Sequence, residues 1–247
     1  MGKIKIGIVN YLNTRPLLYG LERGEIVNLI ELTGNYPAQI AAQLAEGQID
    51  VGLIPVAEIA NFSEYYIIGN YGIATNGEVA SVCLFSQVPL NEIKKIYLDY
   101  QSRSSVALLK YLVNNYWKIN VELINTTDED FIGKVEGDTA ALLIGDRALS
   151  KRKSAKYIYD LGTAWKEHTG YPFVFAAWVS IKPMPADFSK IFDEANALGL
   201  TKIDEIVAGI DFPDYDLGVY YKEKVKYLLD EDAKKGMRLF LSHLQGK

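Results

Sequence analysis

The chain has 247 residues, enough for one large domain or two lobes of roughly 100–150 residues each. Charged residues make up 23% and the formal net charge is −5, so no global positive field recruits nucleic acid or an anionic membrane, and an acidic ligand must be held by local donors. A single cysteine, Cys83, rules out an intramolecular disulfide, and two histidines, His168 and His243, give poor support to a Cys/His or multi-His metal site.

Lys3–Val9 reads as a short apolar first strand. The opening MGKIKIGIVNYLN has neither the long apolar core nor the small-residue cleavage site of a signal peptide. Apolar runs elsewhere fall short of the ~18 residues that a membrane span needs, so a cytoplasmic protein is expected. Pro16 to about Arg23 suits a helix, with Thr14 as an N-cap and Pro16 in the first turn. Val27–Thr33 is a second strand. In Tyr36–Glu46 the apolar positions Ile40, Ala41 and Leu44 have helical spacing, and Gly47 closes the helix. Asp50–Pro55 is a third strand, and Val56–Phe62 opens another helix.

Val79–Ser86 then leaves this unit, with Val82-Cys83-Leu84-Phe85 marking the thiol as a core group. A second unit follows: strand Lys95–Asp99, helix Ser104–Trp117, strand Asn120–Leu123, short helix Phe131–Glu136 and buried strand Ala140–Ile144. Phe173–Ile181 reads as a strand returning to the first unit, and Asp187–Leu244 is mostly helical. This alternation predicts an α/β fold of two lobes with an interlobe cleft: residues 1–84 plus 178–247 in lobe one, 85–177 in lobe two. In such sheets ligands sit where strand C-termini meet helix N-termini.

Four strand-to-helix corners would face that cleft. Asn13 and Thr14 put an amide and a hydroxyl beside a helix start, where free N–H groups and the helix dipole favour anions, although plain capping would use the same residues. Pro55 and Val56 offer shape and backbone donors, while Glu58, one turn into the helix, suits a structural role. Ser102, Arg103, Ser104 and Ser105 bring hydroxyls and a planar guanidinium to one helix start, a cradle for a carboxylate or a set of caps. At Gly145 and Asp146 the glycine allows a close approach, and the acid could cap the next helix. His168 is the one histidine near enough in sequence to the cleft segments to act as an acid or base. No metal cluster, P-loop or dinucleotide fingerprint occurs, so no cofactor is expected.

The stretches YLNTRPL (11–17), VGLIPVAE (51–58), SRSS with the VALL that follows it (102–109), LIGDRAL (143–149) and LGTAWKEHTGYPFVFAAW (161–178) resemble the chorismate dehydratases of the futalosine route to menaquinone. They run in the right order over most of the chain. Ser104 stands where the family often has threonine, which keeps the hydroxyl. The resemblance implies a type II periplasmic-binding-protein-like fold at work inside the cell. It implies a hydro-lyase that converts chorismate, a small dicarboxylate, to 3-[(1-carboxyvinyl)oxy]benzoate. It matches Asn13 to a catalytic asparagine, Ser81 to a serine facing the ligand, and Ser104 and Ser105 to the hydroxyl pair of the second lobe. A sister enzyme of the pathway, acting on a cyclised futalosine, would need a histidine base. A non-catalytic receptor would need an export signal. Nucleic acid and membrane partners are not expected, and both monomer and homodimer remain open.

Overall fold

Two sheets share the chain, and a computed structural model covering residues 2–246 centres both on short apolar runs. The strands are β1 (Ile4–Ile8), β2 (Ile30–Gly34), β3 (Val51–Pro55), β4 (Tyr66–Thr75), β5 (Val82–Ser86), β6 (Lys95–Leu98), β7 (Glu122–Asn125), β8 (Thr139–Ile144), β9 (Tyr157–Asp160), β10 (Phe173–Ser180) and β11 (Lys226–Leu228). The first sheet has the order β11-β4-β10-β3-β1-β2 and the second β7-β6-β8-β5-β9. β1, β2 and β3 run parallel, as do β6, β7 and β8, whereas β10 is antiparallel to both neighbours and β5 to both of its own. Every residue of β3 and of β5 is buried, as expected of central strands covered on both faces.

The helices are α1 (Arg15–Leu21), α2 (Pro37–Ala45), α3 (Val56–Ile59), α4 (Arg103–Leu112), α5 (Gly145–Lys151), α6 (Leu161–Thr169), α7 (Ala186–Leu200), α8 (Ile203–Ala208), α9 (Leu217–Val219) and α10 (Glu231–Leu244). Among the described residues, none is long and apolar enough to cross a membrane. α1 and α7 meet backbone to backbone. A Cβ on Gly20 would run into the Ala195 carbonyl, and one on Gly199 into the Pro16 carbonyl, so only glycine lets the pair close.

One apolar core runs through both lobes, and a smaller one around Cys83, Phe85, Phe131 and Leu143 covers the far face of the second sheet. The lobes are joined by aromatics. Trp165 of α6, fully buried, packs edge-on against Phe173 of β10 and Phe240 of α10, and its indole N–H donates to the Pro172 carbonyl at 3.3 Å.

Sheet membership moves both expected crossings toward the N-terminus. β5 is hydrogen-bonded along its length to β8 and β9, and β10 lies between β3 and β4, so the chain passes between sheets at residues 76–81 and 170–172. Lobe two therefore takes in residues 82–84 and gives up 173–177. β4, β9 and β11, with α6, have no counterpart in the sequence reading. The expected helix at Val56–Phe62 is a single turn, Val56–Ile59. The helix expected to reach Trp117 changes at Val113 to a wider π-type turn, which ends on Lys118 at φ +52°. That reversal delays the next strand to Glu122–Asn125.

Candidate functional site

Between the sheets lies a cavity where the C-terminal ends of β1, β3 and β8 meet the starts of α2 and α4. Seven of the expected residues line it: Asn13, Thr14, Pro55, Ser81, Ser102, Ser105 and Gly145. Its walls are apolar, from Val9 and Leu53 of lobe one, Ile73 and Phe175 of β4 and β10, and Val82 and Ile144 of lobe two. Among the described residues no Asp, Glu, His, Lys or Arg side chain lines it. A ligand there meets hydroxyls, amides and helix starts in place of formal charges, which fits an anion held by dipoles and N–H groups.

Each polar lining residue has its own hydrogen-bond account. Asn13 sits in the 3-10 turn Leu12–Thr14, its carbonyl accepting from the Tyr227 hydroxyl at 3.0 Å. Its side-chain Oδ1 is buried and receives no donor from the described residues. Leaving a buried acceptor unmet costs free energy, so this atom is poised for a ligand that brings a proton donor. Thr14, by contrast, is spent internally. Its hydroxyl lies 2.6 Å from the Val9 carbonyl and 2.8 Å from that of Tyr11, and it does not cap α1. Ser102 is the true N-cap of α4. Its Oγ accepts the Ser105 N–H at 3.1 Å and donates to the Ser105 hydroxyl at 2.8 Å.

Ser81 rests on a strained frame. Its N–H donates to the Val79 carbonyl at 2.8 Å across Ala80, which takes φ +63°, a conformation uncommon for a residue with a Cβ. The buried carboxylate of Asp160 holds this turn, accepting from Ala80 N at 2.8 Å, Val79 N at 3.1 Å and Thr163 N at 3.0 Å. Burial pushes the Asp160 carboxyl up, against those three donors. On its other side the Ser81 carbonyl accepts the Gly145 N–H at 2.8 Å, and Gly145 itself takes φ +61°.

Four expected ligand contacts are corrected. Arg103 does not fork toward the cavity: its Nε meets Glu58 Oε1 at 2.7 Å, and the side chain is 66% exposed. Ser104 Oγ accepts the Ala57 N–H at 3.1 Å. Asp146 neither caps α5 nor lines the cavity, and its Oδ1 accepts the Leu12 N–H at 3.4 Å. Val56 is wholly inside the core. The first three bind lobe to lobe, so the corners expected to hold a ligand also clamp the cleft shut. His168 stands away from the cavity, packed on the rings of Tyr111 and Tyr116.

Sequence reading missed Tyr11 and Gln101, both in the cavity wall, which close it with a bond of 3.1 Å from the Tyr11 hydroxyl to Gln101 Oε1. Burial, helped by nearby Asp99, pushes the Tyr11 phenol up to about 12, so it stays a neutral donor. It missed also that Asp99, buried, pairs with Arg147 through two contacts of 2.8 Å and accepts from the backbone N–H groups of Gln101 and Ile144. This pair ties together the two lobe-two corners.

Comparisons with known proteins agree with this architecture. The chain is 25% identical to the chorismate dehydratase of Thermus thermophilus, over 97% of this chain and 94% of that one. A structural-genomics protein from Archaeoglobus fulgidus superposes with a TM-score of 0.72 at 14% identity, over 99% of this chain and 98% of that one. The periplasmic aliphatic sulphonate binding protein of Escherichia coli superposes with a TM-score of 0.63 at 14% identity, over 100% and 93%. The fold is thus that of the periplasmic binding proteins. The family model described as menaquinone biosynthesis matches residues 4–245, and the chain belongs to that family.

Proposed function

We propose that the protein dehydrates chorismate to 3-[(1-carboxyvinyl)oxy]benzoate for menaquinone synthesis by the futalosine pathway. The observation that carries this reading is the cavity itself, lined among the described residues by no carboxylate, histidine or cationic side chain, with an unmet acceptor, Asn13 Oδ1, in its wall. Loss of the ring hydroxyl and a neighbouring proton makes an aromatic ring, so the reaction needs little push. The protein has to hold two carboxylates, align the C–H and C–OH bonds and exclude water. Asn13 Oδ1 accepts a hydrogen bond from the hydroxyl that departs, and the hydroxyls of Ser81 and Ser105 donate to substrate oxygens. Among the described residues no carboxylate or imidazole lines the cavity, so one of the substrate's own carboxylates takes the ring proton. The C–H electron pair completes the aromatic ring as the C–O bond breaks, and the proton taken by the carboxylate passes to the leaving oxygen, which departs as water. The reading needs no metal or nucleotide and places the work in the cytoplasm, where a soluble metabolite is met.

Purified protein incubated with chorismate alone is expected to give a product lighter by one water in mass spectrometry. Chorismate that binds but persists would make the protein a receptor. Indifference to chorismate with consumption of cyclic dehypoxanthine futalosine would make it the sister enzyme, a reading that the distance of His168 from the cavity disfavours.

A further inference from the structure

We infer that Tyr220 is a positioning residue that fixes the direction of the Ser81 hydroxyl, so that Ser81 offers its proton to the ligand and its lone pair to the protein. The two residues lie 139 positions apart in sequence, and their hydroxyl oxygens are 2.8 Å apart. Both are buried, Ser81 at 2% exposure and Tyr220 at 1%.

Two hydroxyls at that distance share one hydrogen bond, and either could be the donor. Their surroundings decide between the two. Ser81 faces the cavity, whereas Tyr220 sits against the rings of Tyr215 and Tyr221, with centroids 6.2 and 5.5 Å away, and among the described residues its hydroxyl has no second partner. Were Ser81 the donor, the Tyr220 proton would be buried without an acceptor, at the full desolvation cost of that group. With Tyr220 as donor, only the Ser81 proton is left over, and it faces the one place where a ligand oxygen can meet it. Burial also pushes the Tyr220 phenol up, which keeps it a donor at any ordinary pH. The Ser81 backbone is already pinned by Val79 and Gly145, so χ1 and the hydroxyl rotor are its remaining freedoms. Tyr220 removes both. Its own place is set by the wider turn Tyr220–Lys224, where its N–H donates to Asp216 O at 2.9 Å and its carbonyl accepts from Val225 N at 3.0 Å. The cavity thus presents a fixed donor at Ser81 and a fixed acceptor at Asn13.

The inference deepens the dehydratase reading and rests on it for its kinetic arm only. A four-point cycle of wild type, Tyr220→Phe, Ser81→Ala and the double variant is assayed on chorismate, with thermal midpoints measured alongside. Tyr220→Phe is expected to lower kcat/KM by about fivefold to tenfold, the size of one neutral hydrogen bond, in the wild-type background and not at all in the Ser81→Ala background. Equal losses in both backgrounds would show that Tyr220 acts through packing and would overturn the inference. The second measurement, on the unmodified protein, is neutron diffraction from deuterium-exchanged crystals. It is expected to place a deuteron on Tyr220 Oη directed at Ser81 Oγ, and the Ser81 deuteron directed into the cavity. A Ser81 deuteron directed at Tyr220 would overturn the inference. The expected deuterons in a protein inert toward chorismate would leave the inference standing and remove the dehydratase.

Discussion

The two walls of the cavity handle polar groups in opposite ways. In lobe two nearly every polar side chain at the corners is paired within the protein: Ser102 with Ser105, Asp99 with Arg147, Ser104 with the Ala57 N–H, Asp146 with the Leu12 N–H. In lobe one the decisive group is left unpaired, the buried Oδ1 of Asn13. The difference separates what builds the site from what waits for a ligand. A satisfied buried network fixes geometry and is costly to disturb, whereas an unsatisfied atom is tolerated only where something else completes it.

The strongest way to break this contrast is to cut the lobe-two network. Asp99→Ala leaves Arg147 only its exposed partner Glu129 and strands two backbone N–H groups, and is expected to cost ~3 kcal/mol of unfolding free energy, the low end for buried pairs that lose one partner. Urea titration measures it, and a loss of under 1 kcal/mol would mean that the pair is not structural. Asn13→Ala should behave in the reverse manner. Turnover is expected to fall ~10²–10³-fold with the melting temperature nearly unchanged, because the atom removed makes no bond inside the protein. Loss of stability in step with activity would return Asn13 to a helix-start role. Finer resolution comes from the neighbours Ser104 and Ser105. Ser104→Ala gives up one bond between the lobes and is expected to cost about 1 kcal/mol in stability or closure. Ser105→Ala, which changes a lining group, is expected to weaken chorismate binding by a similar amount in calorimetry.

The smallest expected effect concerns pH. Glu78, at the crossing between sheets, is opposed by partial burial, yet its hydrogen bond to Lys224 and the charges of Lys224 and Arg152 hold its carboxyl below the ordinary 4.5. A depressed folded-state value contributes stability that is present above the unfolded value and lost as pH falls through the folded one. Glu78→Gln is therefore expected to lower the melting temperature slightly at neutral pH and to converge on wild type well below pH 4.5, which flattens the acid limb. An unaltered acid limb would show that the cluster is screened by solvent.

What could be read from sequence was local. Apolar runs marked β1, β3, β5 and β8, and the corner residues Asn13, Ser102, Ser105 and Gly145 announced themselves by type and place. Arg103 and Ser104 misled because adjacency in sequence is not adjacency on a helix. Ser102 and Ser105, three apart, share a face, and the two residues between them turn onto lobe one. β4 escaped notice because Gly69, Asn70 and Gly72 interrupt its apolar alternation, and its pairing with β10 carries register shifts. The partnerships of Tyr11 with Gln101 and of Tyr220 with Ser81 span 90 and 139 residues and leave no local trace.

The glycine contact between α1 and α7 limits how the site can diversify. The Asn13 corner leads directly into α1, and at Gly20 and Gly199 main chain rests on main chain. No side chain stands between the two helices there to be enlarged or trimmed, so the corner moves only if a whole pair of helices moves. Selection for a new substrate, natural or in the laboratory, meets a fixed jaw on that side. Its adjustable residues are on the facing walls, at Ile73, Gln101 and Phe175, where a change in bulk alters the mould without shifting the backbone that holds Asn13.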